Sequence, residues 1–327
     1  MTAWKHLVVA IANPFAGRQM AIRKASEMAA LCGARITLFH AFSMPYPLPD
    51  PAPKSTTGAL QAAMEYRLKG LEKLAKPLRK RGIAVECVVE WDFPAHEAIV
   101  RHLLRSKPDL LIAESHRHGT IGRWLLANTD WELIRACPCP LWFVKSRRSV
   151  ENPAILAAVD PLHAHAKPSK LDDLILDHAS TLLANLGGAI NVVHAYTAPL
   201  SSASSNYVEP FRIPLSQDRT QRFLSGIRSQ VEQLARRHGL SASQCILKEG
   251  DPVTVISAVA EKKSTDVLVM GAVSRHELKR IFIGSTAEKL IDKVRCDLLI
   301  IKPDLFRTAV RKQSASTRLH LKESTRT

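Results

Sequence analysis

Apolar residues along the chain fall into short runs separated by longer stretches with helical spacing. The runs at 7–12, 35–40, 84–90, 110–113 and 141–145 read as short buried strands. Between them, 17–32, 59–81, 95–106 and 124–136 repeat apolar positions at three- and four-residue intervals, which predicts helices. A polar stretch, 146–153 (SRRSVENP), interrupts the pattern, and it then restarts with strands near 154–159, 189–194, 243–248, 266–270 and 297–302. Strands alternating with helices predict an α/β protein with parallel sheets covered on both faces.

The restart is a duplication. Displaced by 157 residues, Asp109-Leu110-Leu111-Ile112 falls on Asp266-Val267-Leu268-Val269, and Cys139-Pro140-Leu141 falls on Cys296-Asp297-Leu298. Asn128-Thr129 falls on Ser285-Thr286, Ile134 on Ile291 and Lys145 on Lys302. At shorter offsets HLVVAIANP (6–14) matches AILAAVDP (154–161), and LFHAF (38–42) matches VVHAY (192–196). Offsets that drift while order is kept are what loop insertions produce. The expected divisions are a first domain over 1–146, a second over 153–303, and a tail over 304–327.

Each unit has one long connection after its second strand. Residues 43–58 carry prolines at 45, 47, 49, 51 and 53, and 197–216 is rich in Pro and Ser. Loops this long are either functional covers or disordered. Their place at the carboxyl end of a strand favours covers, because ligands of open parallel sheets bind there.

Composition narrows the classes. Of 327 residues, 46% are hydrophobic and 23% charged, which excludes disorder throughout. No apolar run approaches the ~18–20 residues of a membrane span. The first residues, MTAWKHLVVAIANP, hold too short an apolar stretch for a signal-peptide core, so no export is expected. The cysteines are Cys32, Cys87, Cys137, Cys139, Cys245 and Cys296. A chain with this much core needs no disulfides, and a reducing cytoplasm is expected. The formal net charge of +16 attracts anions: nucleotides, nucleic acid or an acidic surface. In the tail, Arg307, Arg311, Lys312, Arg318, Lys322 and Arg326 oppose only Asp304 and Glu323. That Ser/Thr-rich segment is expected to be disordered.

The main chemical signal lies in the second unit. Gly271 follows the strand DVLVM, and Gly284-Ser285-Thr286 opens a helix. A strand ending in a glycine turn, followed by a helix starting Gly-Ser-Thr, presents unpaired backbone N–H groups to an anion. The structural alternative is that Gly-Ser-Thr only caps the helix. Asp160, at the carboxyl end of the unit's first strand, is placed to accept hydrogen bonds from an adenine amino group or a ribose hydroxyl, or else forms a plain Asp-Pro turn.

In combination these residues resemble the universal stress proteins. That family's pattern is an early strand ending in Asp, then Gly-x2-Gly-x9-Gly-Ser/Thr around ATP phosphates. Here the second unit reads Asp160 … Gly271-x2-Ser274-x9-Gly284-Ser285, and the likeness extends to TDWELIRACPCPLWFVK (129–145) of the first. The resemblance implies two tandem, doubly wound, five-stranded parallel sheets of order 3-2-1-4-5, adenine-nucleotide alpha-hydrolase-like, pairing their last strands as a pseudo-dimer. It implies nucleotide contacts from Asp160, Pro161, Ala195, Met270, Gly271, Ser274, Arg275, Gly284, Ser285 and Thr286. Ser274 departs from the pattern where Gly stands in the family; Arg275, His276, Lys279 and Arg280 crowd the same loop.

The first unit reads differently. Asn13 stands at the Asp160 position, Glu114 at the Gly271 position, Arg117 at the Ser274 position and Ala127 at the Gly284 position. A carboxylate at 114 repels phosphate, so the first unit is expected to bind no ATP and to act as a structural or regulatory partner. Trp131 reads as core packing. Cys137-Pro138-Cys139 reads as the lead-in to a strand, since no second thiol pair stands at metal-ligand spacing. The pairs His116/His118 and His163/His165 read as solvated loop residues, and His40 and His194 as structural.

The expected role is a cytoplasmic, bacterial stress-response module that senses or signals through ATP or a related nucleotide-bearing ligand, with 197–216 as a lid. No Gly-x-Ser-x-Gly or Gly-x4-Gly-Lys-Ser/Thr motif announces catalysis, so no enzyme is expected beyond slow ATP hydrolysis, and no metal beyond magnesium carried by the nucleotide. The alternatives are a nucleotide with an apolar acyl tail, slow ATPase activity, or weak salt-sensitive nucleic-acid contact. A protein partner or homodimer is open; a membrane is not expected.

Overall fold

The computed structural model describes the backbone outside residues 1–3, 18, 43–53, 115–122, 163–169, 198–199, 204–210, 215–216, 273–284, 305, 313–318 and 325–327. Side chains are described outside these and 54–57, 123–129, 200–203, 211–214, 217, 285 and 319–324. The first half runs β1 (His6–Ala10), α1 (Met20–Cys32), β2 (Arg35–Phe42), α2 (Lys54–Arg79), β3 (Val85–Trp91), α3 (Ala95–Ser106), β4 (Leu110–Glu114), α4 (Arg123–Ala136) and β5 (Leu141–Val144). The second begins β6 (Ala154–Ala158), α5 (Leu171–Leu186), β7 (Ala189–Tyr196), β8 (Leu200–Ala203), β9 (Phe211–Pro214) and α6 (Gln217–Arg237). It continues β10 (Cys245–Glu249), α7 (Pro252–Lys262), β11 (Val267–Gly271), α8 (Ser285–Lys293) and β12 (Asp297–Ile301), and β13 (Leu319–Ser324) follows.

These strands form one sheet of eleven, in the order β10-β7-β6-β11-β12-β5-β4-β1-β2-β3-β13. Within each half the order is 3-2-1-4-5 and the pairing parallel, as the resemblance implied. The halves meet where β12 pairs antiparallel with β5, Leu299 opposite Trp142. Parallel strands covered on both faces are apolar on both, which is why they read as continuous runs. Residues of α1, α2, α5 and α6 pack on one face and residues of α3, α4, α7 and α8 on the other, and both layers are continuous across the seam.

The duplication has a physical counterpart at the strand starts. Asp109 accepts the backbone N–H groups of Lys5 and His6 at 2.8 and 2.9 Å, and its repeat mate Asp266 accepts that of Ala154 at 2.9 Å. Each aspartate ties the strand it precedes to the first strand of its half.

At the seam the repeat is broken. Asp297, aligned with Pro140, is fully buried and pairs with Lys24 of α1 at 2.7 Å. It also accepts the Trp142 indole N–H at 3.0 Å and the backbone N–H groups of Lys145 and Ser146 at 2.9 and 2.8 Å. All four donors come from the first half and the linker, so one carboxylate joins the two domains.

One expectation changes. Within the tail expected to be disordered, Leu319–Ser324 form β13, paired antiparallel with β3 from Leu319 opposite Trp91 to Ser324 opposite Glu86. An unpaired sheet edge offers a row of backbone groups, and this segment satisfies them. Within the 197–216 connection, β8 and β9 pair antiparallel as a separate two-stranded sheet. Among the described residues no helix is long and apolar enough to cross a membrane.

Candidate functional site at the carboxyl ends of strands β6 and β11

In the order 3-2-1-4-5 the chain leaves β6 and its neighbour β11 in opposite directions, which opens a crevice at their carboxyl ends. Ala158 of β6 pairs with Met270 of β11. This register carries Asp160 and Pro161 past the end of one strand and Gly271 to the end of the next. The Asp160 side chain is 45% exposed. Its backbone N–H donates to Asp172 Oδ1 at 3.0 Å, which fixes the turn after β6 to the first turn of α5. His194 of β7 binds the Val159 carbonyl through Nδ1 at 3.0 Å, with the same nitrogen 3.9 Å from Asp160 Oδ1. The turn that carries Asp160 is thus fastened from two sides, by helix at the Asp160 N–H and by strand at the Val159 carbonyl. Ala195, half-buried, lies beside His194 at the end of β7.

Gly271 has a structural reason to lack a side chain. A Cβ there would lie 2.7 Å from Leu171 Cδ2 and 3.3 Å from Ile175 Cδ1. The space beside its Cα is therefore filled by α5, which can approach the strand end closely only because residue 271 is glycine. Thr286, half-buried, and Ser285 stand in the first turn of α8, which packs on the face opposite α5. Ser274, Arg275 and Gly284 lie outside the described residues, as do His276, Lys279 and Arg280. The structure thus brings Asp160, Pro161, Ala195, Met270 and Gly271 to adjoining strand ends, with Ser285 and Thr286 at a helix start beyond them.

The equivalent place in the first half is built from other groups. Asn13 Oδ1 accepts the Phe15 N–H at 2.9 Å, a local Asx turn, and Gln19 Nε2 donates to the Asn13 carbonyl at 2.7 Å. Glu114, at the end of β4, accepts the N–H of Met20, the first residue of α1, at 3.1 Å. Here the protein's own carboxylate uses a helix N-terminal donor of the kind that attracts anions. His40 binds the Ile11 carbonyl at 2.8 Å, matching His194 on Val159, so both histidines fasten the end of strand one as expected. Burial pushes the His40 ring down to about 4, which keeps it neutral. Trp131 is partly buried against the α3–α4 layer.

Asp172 and Leu171, which shape the second-half mouth, were not singled out from the sequence. Their signal was faint: an acidic pair, Asp172-Asp173, opening a helix whose N-terminal stretch follows a long loop. Gln19 was equally hidden, and so was the contact of Glu114 with Met20, because both are fixed by the fold. Among the described residues no group of three or more His, Cys, Asp or Glu side chains forms a metal cluster.

Comparison with known proteins matches this architecture. Residues 3–145 and 152–302 each match the sequence profile of the Universal stress protein family. Universal stress protein E of Escherichia coli (strain K12) is 27% identical over 318 residues, covering 95% of this chain and 98% of that protein. Universal stress protein E of Photorhabdus laumondii is 27% identical over 322 residues, covering 95% and 99%. A crystal structure from Pseudomonas aeruginosa UCBPP-PA14 superposes with a TM-score of 0.70 at 23% identity, covering 92% of this chain and 94% of that one. A universal stress protein from Archaeoglobus fulgidus DSM 4304 gives 0.62 at 14% identity, covering 90% and 98%. With both halves matched and the fold shared end to end, the chain belongs to the universal stress protein family, and so to the stress response.

Proposed function

We propose that this protein is a non-catalytic, cytoplasmic stress-response module that binds ATP or a related adenine nucleotide in its second half only, and signals occupancy to a protein partner. The observation that carries this reading is the contrast between the two strand-end crevices. In the second half a half-exposed carboxylate, Asp160, stands beside a strand end without a side chain, Gly271. In the first half Glu114 and Asn13 are engaged with their own backbone.

The described residues fit the nucleoside end of such a ligand. Asp160, on a turn fastened by Asp172 and His194, is an acceptor for ribose hydroxyls or an adenine amino group. Met270 and Ala195 offer apolar contact to a base. In this reading the phosphates lie against the start of α8, with Ser285 and Thr286 as donors and Ser274, Arg275 and Gly284 contributing from the preceding loop. Asp160 lies at the adenosine end, far from the γ-phosphate, which argues against its activating water. Binding, with at most slow hydrolysis, is the chemistry that follows.

Mass spectrometry of small molecules released from the purified protein tests the reading without assuming a ligand. An adenine nucleotide that disappears in Gly284→Asp supports it. A ligand without a nucleotide moiety, such as a free acyl chain, overturns it.

A further inference from the structure

The seam between the halves carries a second cluster that the nucleotide reading does not use. Cys137 directly follows α4, and Cys139 lies two residues before β5. Their sulfurs are 3.8 Å apart, and Cys137 Sγ also donates to the Cys139 carbonyl at 3.2 Å. Lys302, just after β12, has its ammonium over the Phe306 ring at 4.7 Å and acts electrostatically on Cys137. A pocket of about 570 Å³ opens here, lined among others by Cys139, His178, Lys302, Phe306, Arg307 and Lys312. Its charged lining is cationic apart from Asp304.

The repeat supplies a control within the molecule. Lys145 stands where Lys302 stands, and Cys296 where Cys139 does, but Val294 replaces Cys137. Lys145 is engaged by the carbonyls of Ile291 and Val294 at the end of α8. Among the described residues the Lys302 ammonium makes no hydrogen bond, and burial lowers it to about 8. Two departures from the repeat therefore meet at one pocket: an added thiol and a released lysine. Burial alone would raise Cys137, but its hydrogen bond with Cys139, the Cys139 backbone and Lys302 outweigh that and leave it below the ordinary thiol value. The bond to Cys137, with burial, pushes Cys139 up.

We propose that Cys137 and Cys139, with Lys302, form a thiol–disulfide exchange site that accepts small anionic disulfides, R–S–S–R with carboxylate-bearing R groups, from this pocket. In the singly ionised form of the pair, Cys139, half-buried on the pocket wall, attacks one sulfur of R–S–S–R as its proton passes to Cys137. An S–S bond forms between Cys139 and R–S, and R–S⁻ leaves. Cys137 then gives its proton to a departing thiolate and attacks Cys139 Sγ, forming the Cys137–Cys139 disulfide and expelling the second R–S⁻. Two protein sulfurs are oxidised, and the small disulfide is reduced to one thiol and one thiolate. Lys302 stabilises the negative charge at the pair, and the pocket's other cations hold the carboxylates.

The test is reaction of the full-length native protein with glutathione disulfide, followed by peptide mapping over time. The half-buried Cys32 and Cys245 serve as references in the same molecule. The expected result is a Cys137–Cys139 disulfide forming before any adduct at Cys32 or Cys245. Cys137→Ser is expected to trap a stable glutathione adduct on Cys139. Lys302→Gln is expected to slow the reaction about tenfold, as loss of a neighbouring cation lowers the thiolate fraction. Adducts confined to Cys32 and Cys245 in the wild-type protein, or a Cys137–Cys139 disulfide forming equally fast in Lys302→Gln, overturn the proposal.

Discussion

The two halves share strand order, the aspartate that ties each strand start and the histidine that fastens strand one, yet their crevices are built in opposite senses. In the first, Glu114 from β4 accepts a donor at the start of α1, and Asn13 is closed on its own turn. In the second, Gly271 replaces that carboxylate, α5 moves against the strand end, and Asp172 of α5 holds the backbone of Asp160. One exchange, Glu for Gly at equivalent strand ends, changes what the equivalent helix meets there: a carboxylate at the start of α1, a bare Cα under Leu171 of α5. It also decides whether a carboxylate stands at that strand end. A duplicated fold thus keeps its frame in both copies while its strand ends diverge.

The largest expected effect comes from the residue that joins the unequal halves. Asp297→Ala leaves the buried Lys24 ammonium without its carboxylate and strands three further donors. Breaking one side of a buried pair costs roughly 3–5 kcal/mol. Urea unfolding is expected to show that loss, and a second, earlier transition if the seam is what makes the halves unfold together.

Acid tests the buried histidines of the first half next. The folded His40 ring titrates at about 4, against an ordinary value of 6.5. The unfolded chain therefore binds more protons between these values, so stability is fully present above about 6.5 and falls as pH drops toward 4. The interval corresponds to roughly 3 kcal/mol at about 1.4 kcal/mol per pH unit. His6, lowered to about 4 by burial and Arg35, adds in the same direction and lies in the same half. Denaturant midpoints measured across this range are expected to fall less steeply in His40→Gln.

Gly271→Ala tests the crevice wall itself. The new methyl meets Leu171, and overpacking of this kind costs about 1–3 kcal/mol. Leu171→Ala in the same chain is expected to recover part of the loss, measured as a non-additive double-mutant cycle. The smallest effect is on the other side of the comparison. Glu114→Ala removes the acceptor for Met20 and is expected to cost about 1 kcal/mol in thermal or denaturant stability, the usual worth of a helix N-terminal partner.

Much of the frame was legible in the sequence because it depends on local pattern. Continuous apolar runs such as Leu110–Glu114 and Asp297–Ile301 mark strands buried on both faces, and the repeat mates Asp109 and Asp266 made the duplication visible. The candidate crevice could be placed from the sequence where it lies on strand ends, at Asp160 and Gly271. It was not legible where distant segments meet. Glu114 and Met20 are 94 residues apart, and Lys145 is 152 residues from the carboxylate it meets. Asp297 had no echo in the first half, where Pro140 stands. Strand β13 was hidden because its residues lie in a polar, basic segment, and only the open edge of β3 gives them a place. The Cys137-Pro138-Cys139 turn read as a strand lead-in because Lys302 and Phe306 reach it only through the pairing of β12 with β5.

The inequality of the two crevices is tested most directly by the stoichiometry of ATP binding at equilibrium dialysis, on the wild-type chain, Asp160→Ala and Glu114→Ala. The account predicts one ATP per chain, lost in Asp160→Ala and retained in Glu114→Ala. Two ATP per chain, none, or one that persists in Asp160→Ala would contradict it.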